Sequence, residues 1–95
     1  MAKIKVKLFG VFRSDAGVPF FEGNFNRISD LFPYLNTLEK ESYEKKILTD
    51  KYAEKPSPVK FRDAIVYIGG EKCGNSLKKF KDGDEVWVMS PASGG

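Results

Sequence analysis

The stretch KFKDGDEVWVMSPASGG, residues 79–95, decides the fold. Its Asp82-Gly83-Asp84 segment predicts a tight turn in which Gly83 takes a positive φ. Residues 85–90 then predict a strand with four consecutive apolar side chains, a pattern typical of strands buried on both faces. The sequence therefore predicts a central strand close to the chain end, followed by a proline and four small residues.

The N-terminal segment supplies two further predicted strands. Residues 3–8 alternate lysine with apolar side chains, which is the period of a strand with one solvated face. Residues 9–12 extend this strand, residues 13–17 are predicted to form a turn, and residues 18–22 form a returning strand. Because Pro19 has no N–H, we expect the returning strand at an edge of the sheet.

The middle of the chain predicts one main helix. Its apolar face is formed by residues at helical spacing, namely Ile28, Leu31, Leu35 and Leu38. Ser29 and Asp30 are both candidate N-caps, and Asp30 fits better because it places Pro33 in the first turn, where a missing N–H costs nothing. Residues 41–48 predict a second short helix, and the two prolines in residues 51–60 indicate a loop.

A hairpin is predicted in the second half of the chain. Residues 61–68 read as a third strand, and Gly69-Gly70 is a hairpin turn signal before a short partner strand at residues 71–73. Leu77 and Phe80 are candidate core residues in the segment that follows. The order of elements indicates an α+β sheet with one main helix.

Composition restricts the function. The chain of 95 residues is long enough for one domain with a modest core, and it contains one cysteine, Cys73, and no histidine. A disulfide scaffold and a Cys–His nucleophile are therefore excluded, and a zinc site is not expected. We interpret Cys73 as a half-buried strand residue and expect the protein to enter chemistry as a carrier or substrate, not as an enzyme.

Charge and hydropathy argue against nucleic-acid and membrane partners. The net charge is +3, and the lysines are spread along the chain. Lys78, Lys79 and Lys81 surround Phe80, but no RNA-binding aromatic motif accompanies them. No apolar run approaches the roughly 20 residues of a membrane span, and the N-terminus does not have the pattern of a signal peptide. We therefore expect a cytoplasmic protein.

Residues 79–95 resemble the C-terminal signature of the MoaD/ThiS sulfur-carrier family, in which a strand follows an Asp-Gly-Asp turn and a proline precedes a terminal Gly-Gly. The segments KIKVKLFGVFR (3–13) and ISDLFPYLNTLEK (28–40) lie where that family has its first strand and its helix. The resemblance covers nearly the whole chain. It implies a β-grasp, ubiquitin-like domain over residues 1–90, with a mixed sheet of about four to five strands on one main helix, and a flexible tail over residues 91–95.

The same resemblance implies the chemistry of the tail. An E1-like adenylating enzyme, MoeB- or ThiF-like, uses ATP to adenylate the Gly95 carboxylate, and sulfur then replaces AMP to give a thiocarboxylate. The carrier itself holds no cofactor and no metal. Gly94 and Gly95 lack a Cβ and fit a narrow channel, while Pro91 restricts φ at the root of the tail. The candidate partner-binding residues are Met89, Pro91, Ala92 and Ser93.

Several destinations for the sulfur stay open. The MoaD-like interpretation makes the chain the small subunit of molybdopterin synthase, with a MoaE-like partner. A CysO-like carrier serves a cysteine synthase-like enzyme, and a ThiS-like carrier serves a thiazole synthase-like enzyme. Two alternatives of another class are a ubiquitin-like protein modifier joined through Gly95 to lysines, and a binding module whose tail is inert.

The aromatic residues are the remaining candidates for partner contact. We expect most of them in the core and some of them, with Met89 and Val11, in an exposed docking patch. The set comprises Phe9, Phe20, Phe21, Phe32, Tyr34 and Phe80.

Overall fold

The computed structural model describes residues 1–91, which form a five-stranded sheet with a long helix on one face. The elements in chain order are β1 (Ala2–Leu8), α1 (Val11–Ala16), β2 (Phe20–Phe25), α2 (Leu31–Lys46), β3 (Ile65–Ile68), β4 (Glu71–Cys73) and β5 (Glu85–Met89). The strand order is β2-β1-β5-β3-β4, with β1 and β5 parallel and the other neighbours antiparallel. Within residues 1–91, no helix has both the length and the apolar character needed to cross a membrane.

This arrangement is the α+β, β-grasp fold predicted from the sequence. A first hairpin leads into α2, and the last strand returns beside the first and parallel to it. The core between the sheet and α2 is built from the alternate residues of each strand, so that Ile4 and Val6 of β1 lie beneath Leu35 of α2 in one apolar cluster. The predicted boundary at residue 90 stays a prediction, because Ala92, Ser93, Gly94 and Gly95 lie outside the described residues.

β5 is the central strand, as predicted, because β1 and β3 pair with its two edges. Val86 and Val88 are fully buried in the core, whereas Trp87 and Met89 are only half-buried on the opposite face. The prediction of burial on both faces is therefore wrong. Within residues 1–91, α1 and α2 are the only helices longer than one short turn. They cover the face of the sheet on which Val86 and Val88 lie, and within the same residues the opposite face has no helix over it.

The predicted extension of the first strand over residues 9–12 is also wrong. β1 ends at Leu8, and α1 follows where a strand and a turn were expected. Phe12 and Ala16 are the two buried residues of α1. They lie four residues apart, which is the spacing of one face of a helix. Because Val11 is 50% exposed, it marks the solvent side of this helix instead of continuing the strand alternation.

β2 lies at the edge of the sheet, as Pro19 predicts. The proline immediately precedes the strand, and its carbonyl accepts a hydrogen bond from the Leu8 N–H at 2.9 Å. The strand is longer than the predicted residues 18–22, since pairing continues through Gly23, opposite Ile4, to Phe25. Gly23 therefore lies inside β2 and does not end it, because its backbone pairs with β1.

α2 is one continuous helix of 16 residues, so the predicted separate helix at 41–48 is wrong. Asp30 occupies the N-cap position and Pro33 lies in the first turn, as predicted, but the Asp30 side chain forms no capping hydrogen bond with α2. The Asp30 carboxylate accepts a hydrogen bond from the Arg27 N–H at 2.9 Å and so stabilises the preceding 3-10 turn, which contains the buried Ile28. The loop prediction for residues 51–60 is confirmed.

The second hairpin forms as predicted at Gly69-Gly70, but β3 begins only at Ile65, after a 3-10 turn over Phe61–Asp63. Of the two predicted core residues that follow the hairpin, Phe80 is buried and Leu77 is 65% exposed. The Phe80 N–H donates to the Asn26 carbonyl at 2.9 Å. This hydrogen bond holds the backbone of Phe80 against the segment that precedes α2, where its ring is buried.

The Asp82-Gly83-Asp84 turn joins the start of β5 to β1. Gly83 has a φ of 88°, and its N–H donates to the Lys3 carbonyl at 2.8 Å. The Lys3 N–H donates in return to Asp82 Oδ1 at 2.8 Å. The Lys5 N–H donates to the Asp84 carbonyl at 3.1 Å. The structural interpretation of this turn is therefore confirmed.

Candidate functional site

The candidate site is the end of β5, where the tail begins. Met89 is the last residue of β5 and pairs with Ile65 of β3, and an exposed Pro91 follows two residues later. The structure thus brings two of the predicted site residues, Met89 and Pro91, to one edge of the domain. The other predicted site residues lie outside the described part of the chain, namely Ala92, Ser93, Gly94 and Gly95.

Gly10 lies beside Ser90 at the root of the tail, and the sequence did not identify it as a site residue. Its φ of 60° and ψ of −133° turn the chain between β1 and α1. A Cβ placed on Gly10 would lie 3.4 Å from Ser90 Oγ. The Phe9 N–H donates to the Val88 carbonyl at 3.0 Å, which fixes the bend against β5. A glycine inside an otherwise alternating pattern was the available signal.

We expect Gly10→Ala to lower the free energy of unfolding by about 1 to 3 kcal/mol, because an alanine at this positive φ is strained. Gly74→Ala is the matched control, since the space around Gly74 is open and its φ lies outside the left-handed region. Urea unfolding of both variants checks the prediction. Equal stability of the two variants would show that the bend tolerates a side chain.

An apolar face lies beside the tail root, on the side of the sheet opposite α2. We define the apolar face as Phe9, Tyr67, Trp87 and Met89. Trp87 is its centre: the register places Tyr67 beside it on β3, with ring centroids 6.3 Å apart, and the Phe9 ring packs edge-on at 6.0 Å. Phe9 is 39% exposed, and the other three residues are half-buried.

The structure confirms part of the predicted set as exposed aromatic residues, and their role in docking stays a prediction. Phe21, Phe32 and Phe80 belong to the core, whereas Phe9, Phe20 and Tyr34 are exposed. Trp87 and Tyr67 were missing from the prediction. Trp87 was assigned to a strand buried on both sides, and only the sheet topology shows that its face is open.

Hydrogen bonds hold Trp87 in place. Its Nε1 donates to Glu85 Oε1 at 2.9 Å, and Lys7 Nζ forms an ion pair with the same oxygen at 3.0 Å. The hydrogen bond from Trp87, and next that from Lys7, hold the pKa of the Glu85 carboxyl below its usual value. The indole is thus oriented by a carboxylate that stays ionised, and Trp87 remains partly exposed to solvent.

The described residues place an apolar surface beside the root of the tail. Cys73 is a half-buried residue of β4, as interpreted from the sequence, and its Sγ lies 3.7 Å from the Asn75 carbonyl oxygen. Within residues 1–91, no three His, Cys, Asp or Glu side chains form a group that could hold a metal ion. The arrangement places an apolar surface beside Pro91, where the tail begins.

The fold and this surface define a β-grasp protein of the ubiquitin class, and the comparisons with known proteins agree. Small archaeal modifier protein 1 from Methanosarcina acetivorans is similar over 100% of this chain and 98% of its own, with 27% identity and a TM-score of 0.69. A protein assigned as molybdopterin converting factor subunit 1 from Pyrococcus furiosus is 26% identical over 96% of this chain and 99% of its own, with a TM-score of 0.63.

The third comparison concerns a complex. Subunit 1 in the complex of molybdopterin-converting factor subunits 1 and 2 from Helicobacter pylori shares the fold, with a TM-score of 0.55 and 16% identity over 98% of this chain and 99% of its own. No protein-family model and no curated protein sequence matches the chain. The structural neighbours support the MoaD/ThiS-like family that the sequence resembles.

Proposed function

We propose that the protein is a sulfur carrier whose Gly95 carboxylate is adenylated by an E1-like enzyme, converted to a thiocarboxylate and used as a sulfur donor inside a partner enzyme. The observation that carries the proposal is the apolar face that adjoins the root of the Gly-Gly tail. A tail that enters a foreign active site needs a docking surface close to its root, and two residues of the apolar face, Trp87 and Met89, lie on the strand that leads into the tail.

The chemistry of this tail requires an external catalyst. A carboxylate is a poor electrophile, and the chain contains no histidine to act as a general base. Attack of the Gly95 carboxylate on the α-phosphorus of ATP, in the active site of the activating enzyme, releases pyrophosphate and creates an acyl-adenylate. Hydrosulfide, or a persulfide whose S–S bond a thiol then reduces, attacks the carbonyl carbon and expels AMP, and the thiocarboxylate remains on Gly95. ATP is therefore a substrate of the activating enzyme and not a ligand of the carrier.

The partner that the comparisons favour is MoaE-like. The Helicobacter pylori neighbour is subunit 1 in a complex with subunit 2 of its converting factor, and the Pyrococcus furiosus neighbour is also assigned as a subunit 1. We accordingly propose the role of the small subunit of molybdopterin synthase. The cysteine synthase-like and thiazole synthase-like partners, and the cytoplasmic location, stay predictions from the sequence.

A second candidate function is protein modification. The neighbour from Methanosarcina acetivorans is a small archaeal modifier protein, and it is as similar as the molybdopterin neighbour. A modifier uses the same adenylation but passes Gly95 to a lysine amine instead of accepting sulfur. Isopeptide-linked Gly95 remnants on lysines, sought by mass spectrometry of cell extract, would support this role.

The activation step is tested by ATP–pyrophosphate exchange with the activating enzyme from the same cell. We expect exchange that depends on this chain. Absence of exchange with every cognate activating enzyme would contradict both the carrier and the modifier functions and would favour the binding module with an inert tail.

We expect Trp87→Ala to raise the KM for the carrier in that assay by about tenfold or more, since truncating a central aromatic residue of an interface costs about 2 kcal/mol or more. kcat should change little, because the tail itself is intact. Tyr52→Ala is the control, as it removes an exposed aromatic ring from the loop of residues 51–60, outside the apolar face. An unchanged KM for Trp87→Ala would remove the apolar face from the proposal.

A further inference from the structure

Glu39 is an unusual residue for the buried side of α2. It is only 2% exposed, and its Oε2 has no hydrogen-bond partner among residues 1–91. A carboxylate that leaves water without a partner loses a large solvation free energy, so a buried carboxyl group ordinarily either finds a partner or stays protonated. The carrier chemistry gives this residue no role, and it belongs to a different part of the molecule from the tail.

Glu39 lines a cavity of about 280 Å³ between α2 and the proline-containing segment of residues 51–60, which we call the strap. The cavity is lined from α2 by Asn36, Lys40 and Tyr43 as well as Glu39, and from the strap by residues 55–58.

Asn36 fastens the strap to the helix beside this cavity. Its Oδ1 accepts a hydrogen bond from the Val59 N–H at 2.7 Å, and its Nδ2 donates to the Val59 carbonyl at 3.1 Å. Val59 itself is buried. Asn36 and the buried Val59 thus attach the strap to α2 beside the Glu39 carboxyl group.

The charges around Glu39 do not compensate an ionised carboxylate. Asp15 faces it from α1, and burial together with the negative charge of Asp15 raises the pKa of Glu39 to about 7. Lys40 and Tyr43 of α2 and Lys55 of the strap are the other ionisable groups around the cavity, and both lysines are solvent-exposed. Within the described part of the chain, Glu39 forms no ion pair with either lysine. The core beneath it contributes apolar side chains.

We propose that Glu39 is a proton-operated latch for the strap: the protonated carboxyl group lets the strap close on α2, and opening of the strap lets the carboxylate ionise and become hydrated. The proton is exchanged with solvent, and no other co-reactant is needed. The latch does not rest on the proposed carrier function, because the described contacts of Glu39, Asn36 and Val59 within residues 1–91 involve neither Pro91 nor the apolar face.

The latch predicts a definite pH dependence. In the open state the pKa of Glu39 should fall toward its ordinary value of 4.5, and in the closed state it should lie near 7. The open state therefore holds fewer protons across this window. The equilibrium constant for opening should rise about tenfold per pH unit inside the window and level off above it.

Amide hydrogen exchange, measured by NMR across this pH range and corrected for intrinsic exchange, tests the proposal. The reporter is the Val59 amide, which the Asn36 side chain protects. In the wild type we expect its opening constant to rise with pH as described. In Glu39→Gln we expect no such rise, and in Glu44→Gln, which alters an exposed glutamate of the same helix, we expect the wild-type behaviour.

Two further measurements on the wild type keep the proposal testable if Glu39→Gln does not fold. The Glu39 side-chain carbons should titrate with a midpoint near 7, where the rise in Val59 exchange ends. The Val59 amide should also exchange faster than the Leu35 amide at every pH, which shows that the strap opens without global unfolding. Titration of Glu39 near its ordinary pKa, equal protection of the two amides, or a pH dependence retained in Glu39→Gln would each overturn the latch.

Discussion

Removal of Gly94 and Gly95 is expected to abolish adenylation and thiocarboxylate formation while the unfolding curve stays that of the full chain. The truncated tail is shorter by two residues, roughly 7 Å when extended, so its carboxylate cannot reach the position that Gly95 would occupy. It also ends on Ser93, whose Cβ would have to enter a channel that fits glycine. The core cluster of the described residues runs from Ala2 to Val88, so we expect the fold to be unaffected.

Gly94→Ala separates the effect of tail length from that of the side chain. It keeps the length and adds one Cβ, and we expect impaired activation with unchanged thermal stability. Both variants are assayed for adenylation and for sulfur acceptance, with thermal unfolding by circular dichroism as the control for folding. A truncated chain that still accepts sulfur would contradict the assignment of Gly95 as the reacting residue.

The second large effect is on stability. Between pH 4.5 and 7 the free energy of unfolding of the wild type should fall by about 3 kcal/mol more than that of Glu39→Gln. The pKa of Glu39 is raised from 4.5 to about 7 in the folded protein, so the unfolded chain releases this proton first as the pH rises. Because the unfolded state then binds fewer protons, stability falls through this window and levels off above it.

Urea unfolding of the two proteins at several pH values measures this difference. Referring the wild type to Glu39→Gln cancels the contributions of the other titrating groups, which the two proteins share. Glu44→Gln should follow the wild type, since Glu44 is exposed. A difference between wild type and Glu39→Gln that stays constant with pH would show that Glu39 ionises as easily in the folded protein as in the unfolded one.

Local periodicity predicted the elements that carry several regular repeats. The alternation in residues 3–8 predicted β1, and α2 was predicted by four residues at helical spacing, namely Ile28, Leu31, Leu35 and Leu38. α1 was missed because two buried residues, Phe12 and Ala16, give too short a pattern to compete with the strand alternation that precedes them. An element anchored by two side chains is determined by tertiary contacts, which a single sequence does not display.

The candidate site, like the fold, could be predicted from the sequence only in part. The resemblance pointed to the tail, and the structure places Met89 and Pro91 at its root. The open face of Trp87 could not be predicted, since a strand with four apolar residues in a row looks alike whether one or both of its faces are covered. Glu39 did leave a signal: it lies four residues after the buried Leu35, on the same helix face.

The central claim is tested most directly by the intact mass of the full chain after incubation with ATP, a sulfur source and the activating enzyme from its own cell. The account predicts a mass gain equal to the exchange of one oxygen for sulfur, which is absent when Gly94 and Gly95 are removed. An unchanged mass under conditions in which the same enzyme catalyses ATP–pyrophosphate exchange with this chain would contradict the sulfur-carrier function and leave the modifier as the function of the activated tail.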